Sequence, residues 1–101
     1  MGSRTKEITL YKQEGETYVH LYAQIDKDGD LRVCGHDIGA APQEWWGHDD
    51  YEYTVTVSKK HKDRLLLALI AALYKDNPSA VSEFRDFAKD HDIPYGWFSW
   101  P

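Results

Sequence analysis

Cysteine is nearly absent from this chain. Cys34 stands alone among 101 residues, which excludes an internal disulfide framework and fits a reducing, cytoplasmic compartment. Long apolar runs are absent too: the longest, residues 65–74, covers ten positions against the roughly 20 that a membrane helix requires. The start, Met1-Gly2-Ser3-Arg4-Thr5, has no apolar stretch of the signal-peptide kind, and residues 1–5 read as disordered or cloning-derived. Positive charge is scarce, with 12 Lys+Arg against 17 Asp+Glu and a net charge of −5. That balance argues against nucleic acid as the main partner, because phosphate binding needs a basic patch. The shortage is local: residues 33–58 contain no Lys or Arg but five acids, Asp37, Glu44, Asp49, Asp50 and Glu52. There are no internal repeats and no linker, so residues 1–101 read as a single domain.

Aromatic residues, at 14%, and period-2 patterning are what the chain does have. Residues 6–13 alternate, with Ile8 and Leu10 on one face and Thr9 and Tyr11 on the other, as in a half-buried strand. After Glu14-Gly15, residues 17–25 alternate again: Val19, Leu21, Ala23 and Ile25 oppose Tyr18, His20, Tyr22 and Gln24. A two-residue turn at Glu14-Gly15 keeps the apolar faces together and sets Tyr11 against Tyr18 and Thr9 against His20. The third strand, residues 31–36, has its apolar set on odd numbers, as the second does, so the intervening loop holds an odd number of residues. Centring it on Asp28 sets Ile25 against Leu31, Ala23 against Val33, Tyr22 against Cys34 and His20 against His36. A two-residue Asp28-Gly29 turn would instead pair Ile25 with Arg32.

Residues 37–50 read as a loop and 51–57 as a fourth strand, with Tyr51, Tyr53, Val55 and Val57 inward. Ser58 and Ser79 are expected to cap two helices, residues 59–75 and one ending near His91. The first is apolar nearly all round; the second carries Val81, Phe84, Phe87 and Ala88 on one face. Lys59, Lys60 and Lys62 crowd the first turn, where the macrodipole disfavours them, and Asp49, Asp50 or Glu52 would neutralise them. The aromatic tail from Ile93 is a candidate edge strand. The expected fold is α+β, an antiparallel four- to five-stranded sheet with two C-terminal helices packed on one face.

Several motifs carry chemistry on paper. His36-Asp37-Ile38-Gly39 resembles the tetrapeptide of metal-dependent HD phosphohydrolases, but this chain is too short for the helical bundle that supplies their other ligands. Asp26-Lys27-Asp28-Gly29-Asp30 opens like a calcium-binding EF-hand loop, yet Leu31 replaces the required Gly and no helix flanks it, so an acidic hairpin turn is the better account. His20, His36 and Cys34 share one sheet face and are candidate zinc ligands, with Asp37 or His48 as a fourth group. A mid-strand Cys34 lacks the helix N-terminus that often activates a thiol. Tyr11, Tyr18 and Tyr22 on the outer face, with Trp45 and Trp46 among acids, have the composition of an interface hot spot.

Gly35-His36-Asp37-Ile38-Gly39, Trp46-Gly47, Asp50-Tyr51-Glu52-Tyr53 and His61-Lys62-Asp63-Arg64-Leu65-Leu66 together resemble a group of small uncharacterised bacterial α+β proteins, from about residue 33 to the tail. The resemblance implies a bacterial or phage, cytoplasmic origin and brings no activity or site residue with it.

The expected function is that of a non-enzymatic inhibitor-type protein, in the manner of toxin-immunity or phage counter-defence proteins, with no cofactor and no membrane contact. Its partner would be a basic protein surface. Trp45 and Trp46 would anchor it, Asp37, Glu44, Asp49 and Asp50 would steer it, and Tyr11, Tyr18 and Tyr22 would extend the contact. Two alternatives stand beside this reading: a homodimer formed through the Tyr/His face, and a metal-binding protein or enzyme built on His20, His36 and Cys34.

Overall fold

The computed structural model describes residues 6–39 and 50–100. Four antiparallel strands, β1 (Lys6–Gln13), β2 (Thr17–Ile25), β3 (Leu31–Gly39) and β4 (Asp50–Val57), form one open sheet in the order β1-β2-β3-β4. A 3-10 turn, Lys59–His61, leads into helix α1 (Lys62–Tyr74), and α2 (Ala80–Asp90) follows. The fold is α+β, as the strand-then-helix order implies. Residues 93–100 form no strand, so the tail adds no fifth member to the sheet. No described helix is long and apolar enough to cross a membrane. The chain divides into two compact units, one ending at Leu65 and one beginning at Leu66.

In the sheet unit, β2 and β3 pair without interruption from Thr17↔Gly39 to Ile25↔Leu31, and Tyr22↔Cys34 and His20↔His36 fall where the odd-loop argument puts them. The physical cause lies in the five residues between them. Asp26 Oδ1 accepts the backbone N–H of Asp28 at 2.9 Å and of Asp30 at 3.0 Å, the local side-chain capping that makes Asp a turn former. Asp26 N donates to Asp30 O at 3.0 Å, and Gly29 takes φ +85°, a conformation that favours glycine. Asp30 Oδ1 in turn accepts the Lys59 N–H at 2.8 Å, tying this loop to the 3-10 turn. Among the described residues, the acid bonded to the lysine-rich helix start is Asp30, through the Lys59 main chain; Asp50 and Glu52 stand beside His36 instead, and Asp49 lies outside the described residues.

The first hairpin departs from its expected register. Thr9 pairs with Tyr22, Tyr11 with Leu21 and Lys12 with His20, with a shift between Thr9 and Tyr11 that leaves Leu10 as a bulge. The turn is also longer than two residues, since β2 begins only at Thr17. An extra residue in one strand exchanges the faces beyond it. Tyr11 thus joins the Leu21 side of the sheet, where its hydroxyl donates to Gln13 Oε1 at 2.9 Å, and Lys12 crosses to the Tyr18 side, 5.9 Å from the Tyr18 ring centre.

β3 is three residues longer than its alternation indicates, running through Asp37 and Ile38 to Gly39. It pairs with β4 from Leu31↔Val57 to Ile38↔Asp50 with no shift. Gly35 lies opposite Tyr53, whose ring occupies the space a Cβ at Gly35 would fill. Tyr53 can therefore lie flat and reach past it to Asp37.

In the helical unit, Tyr74 meets Phe84 edge-on at 6.2 Å, Arg85 covers Trp97 at 4.6 Å and Ala88 is the buried residue of α2. Ser58 accepts the Lys60 N–H as expected, but Ser79 makes no side-chain cap. Asn77 takes that role: its Oδ1 accepts Ser79 N at 2.8 Å and its Nδ2 donates to Glu83 at 2.9 Å. After α2, Asp92 adopts φ +55° while Ile93 N bonds Ala88 O at 2.9 Å, a Schellman ending that glycine usually occupies.

Two changes test these local causes. Replacing Asp26 by Ala removes the acceptor of two loop amides and is expected to lower urea stability by about 1–2 kcal/mol. Asp92→Gly relieves the left-handed strain and is expected to stabilise α2 by about 0.5–1 kcal/mol, read as a higher thermal midpoint.

Candidate functional site

The sheet face that carries Tyr18, His20 and Tyr22 from β2 also carries Cys34 and His36 from β3 and Asp50 and Glu52 from β4, because directly paired residues share a face. Three strands bring His20, His36 and Glu52 into one cross-strand row. Asp50 lies one alternation further along β4, opposite Ile38. His36 Nε2 is 3.5 Å from Glu52 Oε2 and 3.8 Å from Asp50 Oδ2. Both separations exceed the 2.7–3.2 Å of an N–H···O bond, and Nε2 is shielded from solvent with no hydrogen-bond partner. The carboxylates are open, their side chains 60% and 73% exposed.

His20 takes part in a ring ladder, stacked on Tyr22 at 4.9 Å and tilted against Tyr18 at 6.5 Å. Its Nε2 lies 3.3 Å from Thr9 Oγ1. Cys34 is free and only 7% exposed, so the thiol is a buried group where an outward-facing one was expected. Its sulfur acts on Tyr22: hydrogen bonding with Cys34 raises the Tyr22 phenol above its ordinary value of 10.0, and burial and the negative charges of Glu7 and Glu52 add to the rise.

The ligand set expected from His20, His36 and Cys34 is corrected. The groups that converge are His36, Asp50 and Glu52, whose ligand atoms lie within 4.8 Å of one another. Among the described residues the ligand atoms of His20, His36 and Cys34 do not come within that distance of one another; His20 is turned to Thr9 and stacked on Tyr22, and Cys34 is buried. Asp37 is removed altogether. It pairs with Tyr51 and accepts the Tyr53 hydroxyl at 3.0 Å on the opposite face. Strand alternation thus separates the His36 and Asp37 of the HDIG-like tetrapeptide, which cannot share an ion here. Glu52 was within reach of sequence reasoning, since alternation puts it on the face opposite Tyr51 and Tyr53; the missing step was the β3–β4 register. Tyr51, Tyr53 and Val55, expected inward, are exposed.

Asp26, Asp28 and Asp30 also come within 4.8 Å of one another, but Asp26 Oδ1 and Asp30 Oδ1 already accept backbone amides. The acidic loop is a turn device. Of the expected partner-binding residues, Asp50, Tyr18 and Tyr22 lie on the His36 face, while Tyr11 and Asp37 lie on the other. Glu44, Trp45, Trp46, His48 and Asp49 lie outside the described residues.

On the opposite face, burial and the bond to Asp37 hold the Tyr53 phenol above its ordinary value of 10.0, with the charge of Asp37 and neighbouring Tyr51 adding to the effect. A phenol raised in the folded state contributes stability that is complete below pH 10 and is lost as pH rises through the folded value. Asp37→Asn should therefore shift the Tyr53 ultraviolet titration to lower pH; an unchanged curve would remove the bond. Gly35→Ala should displace the Tyr53 ring and destabilise by about 1–2 kcal/mol, and most of that loss should vanish in a Tyr53→Ala background.

No family model, curated protein or solved structure matches the chain.

Proposed function

We propose that the protein is a non-enzymatic binding module that engages a basic partner protein along its β4 edge. One observation carries this reading: among the described residues β4 is an outer strand, eight residues long, that pairs with β3 in unbroken register and contains no Lys, Arg or Pro. Edge strands of this kind accept a further strand from another chain, which supplies main-chain hydrogen bonds while alternate side chains select the sequence. On β4 the selecting side chains are acidic Asp50 and Glu52 on one face and Tyr51 and Tyr53 on the other. The opposite edge differs: β1 has a bulge at Leu10 and two lysines, Lys6 and Lys12, features that discourage pairing.

The acidic segment before β4, with Glu44, Asp49 and the Trp45–Trp46 pair, extends the same chemistry in sequence. A module of this type would act by occlusion, covering a basic surface in the manner of an immunity or counter-defence protein, with charge steering the encounter. The test is amide exchange on the complex captured from native-host lysate at low and moderate salt. Expected are slowed exchange at β4 amides, an association rate that falls with salt and with Glu52→Lys, and a loss of at least about 2 kcal/mol for Trp46→Ala. Unchanged β4 exchange in a salt-sensitive complex would overturn the edge as the contact.

A further inference from the structure

We propose that His36, Asp50 and Glu52 form a binding site for a divalent first-row transition cation, zinc in the first instance, on the sheet face of β3 and β4. The donor set suits such an ion: a neutral imidazole and two carboxylates are ordinary zinc ligands, and three protein groups leave a fourth position for water.

The separations suit it as well. With metal–nitrogen and metal–oxygen distances near 2.1 Å, two ligands of a tetrahedral ion stand about 3.4 Å apart. His36 Nε2 lies 3.5 Å from the Glu52 oxygen and 3.8 Å from the Asp50 oxygen. These distances are long for a hydrogen bond and right for ligands sharing an ion. The second observation is the state of Nε2 itself, a solvent-shielded polar atom with no hydrogen-bond partner that faces both carboxylates. An orphaned buried nitrogen carries a desolvation cost, which coordination removes.

The strands hold the geometry. His36 and Glu52 are direct cross-strand partners and Asp50 is the diagonal neighbour, so the backbone ladder positions all three ligands without a loop. Among the described residues no Lys or Arg approaches Asp50 or Glu52 within ion-pair distance; the potential around Nε2 is set by two unneutralised acids, which attract a cation. His20, across β2 in the same row, is engaged with Thr9 and Tyr22 and stands as a neighbour to the site.

The proposal does not rest on the partner-binding reading, and its test uses the tag-free protein with metal alone. Isothermal titration with zinc is expected to give one ion per chain. Glu52→Gln, which keeps size and fold, and His36→Ala are each expected to weaken binding by more than about tenfold, while Asp28→Asn in the hairpin loop leaves it unchanged. Cobalt substitution should give the visible bands of a tetrahedral ion, lost in Glu52→Gln. No uptake by folded protein at millimolar zinc overturns the site and leaves the cluster an ordinary ion pair. Binding that survives both Glu52→Gln and His36→Ala, or that is lost in Asp28→Asn, also overturns it.

Discussion

Asp26, by accepting the amide protons of Asp28 and Asp30, closes a five-residue loop and thereby sets the register of β3. Everything on the sheet depends on that register. With an odd loop, the apolar sets of β2 and β3 share a face, and His20 meets His36 while Tyr22 meets Cys34. One residue more or fewer would carry each side chain of β3 to the other face. The same aspartate loop reaches forward through Asp30 to Lys59, so the sheet and the start of the helical segment share an anchor within a few residues.

From this register the two faces acquire different chemistries. One gathers His20, His36, Asp50 and Glu52 over a buried Cys34; the other sets Tyr53 across Gly35 to reach Asp37. Alternation thus divides what the sequence writes side by side. His36 and Asp37 are neighbours in the chain and strangers in space, whereas His36 and Glu52, sixteen positions apart, face each other. The Leu10 bulge does the same to β1, taking Tyr11 away from the other tyrosines and exchanging it for Lys12.

The two proposals draw on the same strand in different ways. Along its outer side β4 offers backbone groups and charge to a partner; across its face it offers carboxylates to His36. A cation held there would neutralise two of the acids that attract a basic chain, so metal and partner would oppose each other through Asp50 and Glu52, a reciprocal coupling by linkage.

Much of this was legible in the residues. Alternation located the strands, Ser58 marked the helix start, and parity together with a loop centred on Asp28 gave the β2–β3 pairing, because local backbone geometry and hydrophobic period are written in short windows. What the tertiary structure decided was long-range or non-periodic: the Leu10 bulge, the extension of β3 to Gly39, and Asn77 as the cap in place of Ser79. A bulge leaves no mark in an alternating pattern, and a strand whose end reads Asp37-Ile38-Gly39 has no apolar period to announce it. The convergence of His36, Asp50 and Glu52 depended on the pairing of β3 with β4 across an intervening segment. No short window of sequence holds that pairing, because hydrogen bonds between distant strands are chosen only when the whole ladder forms.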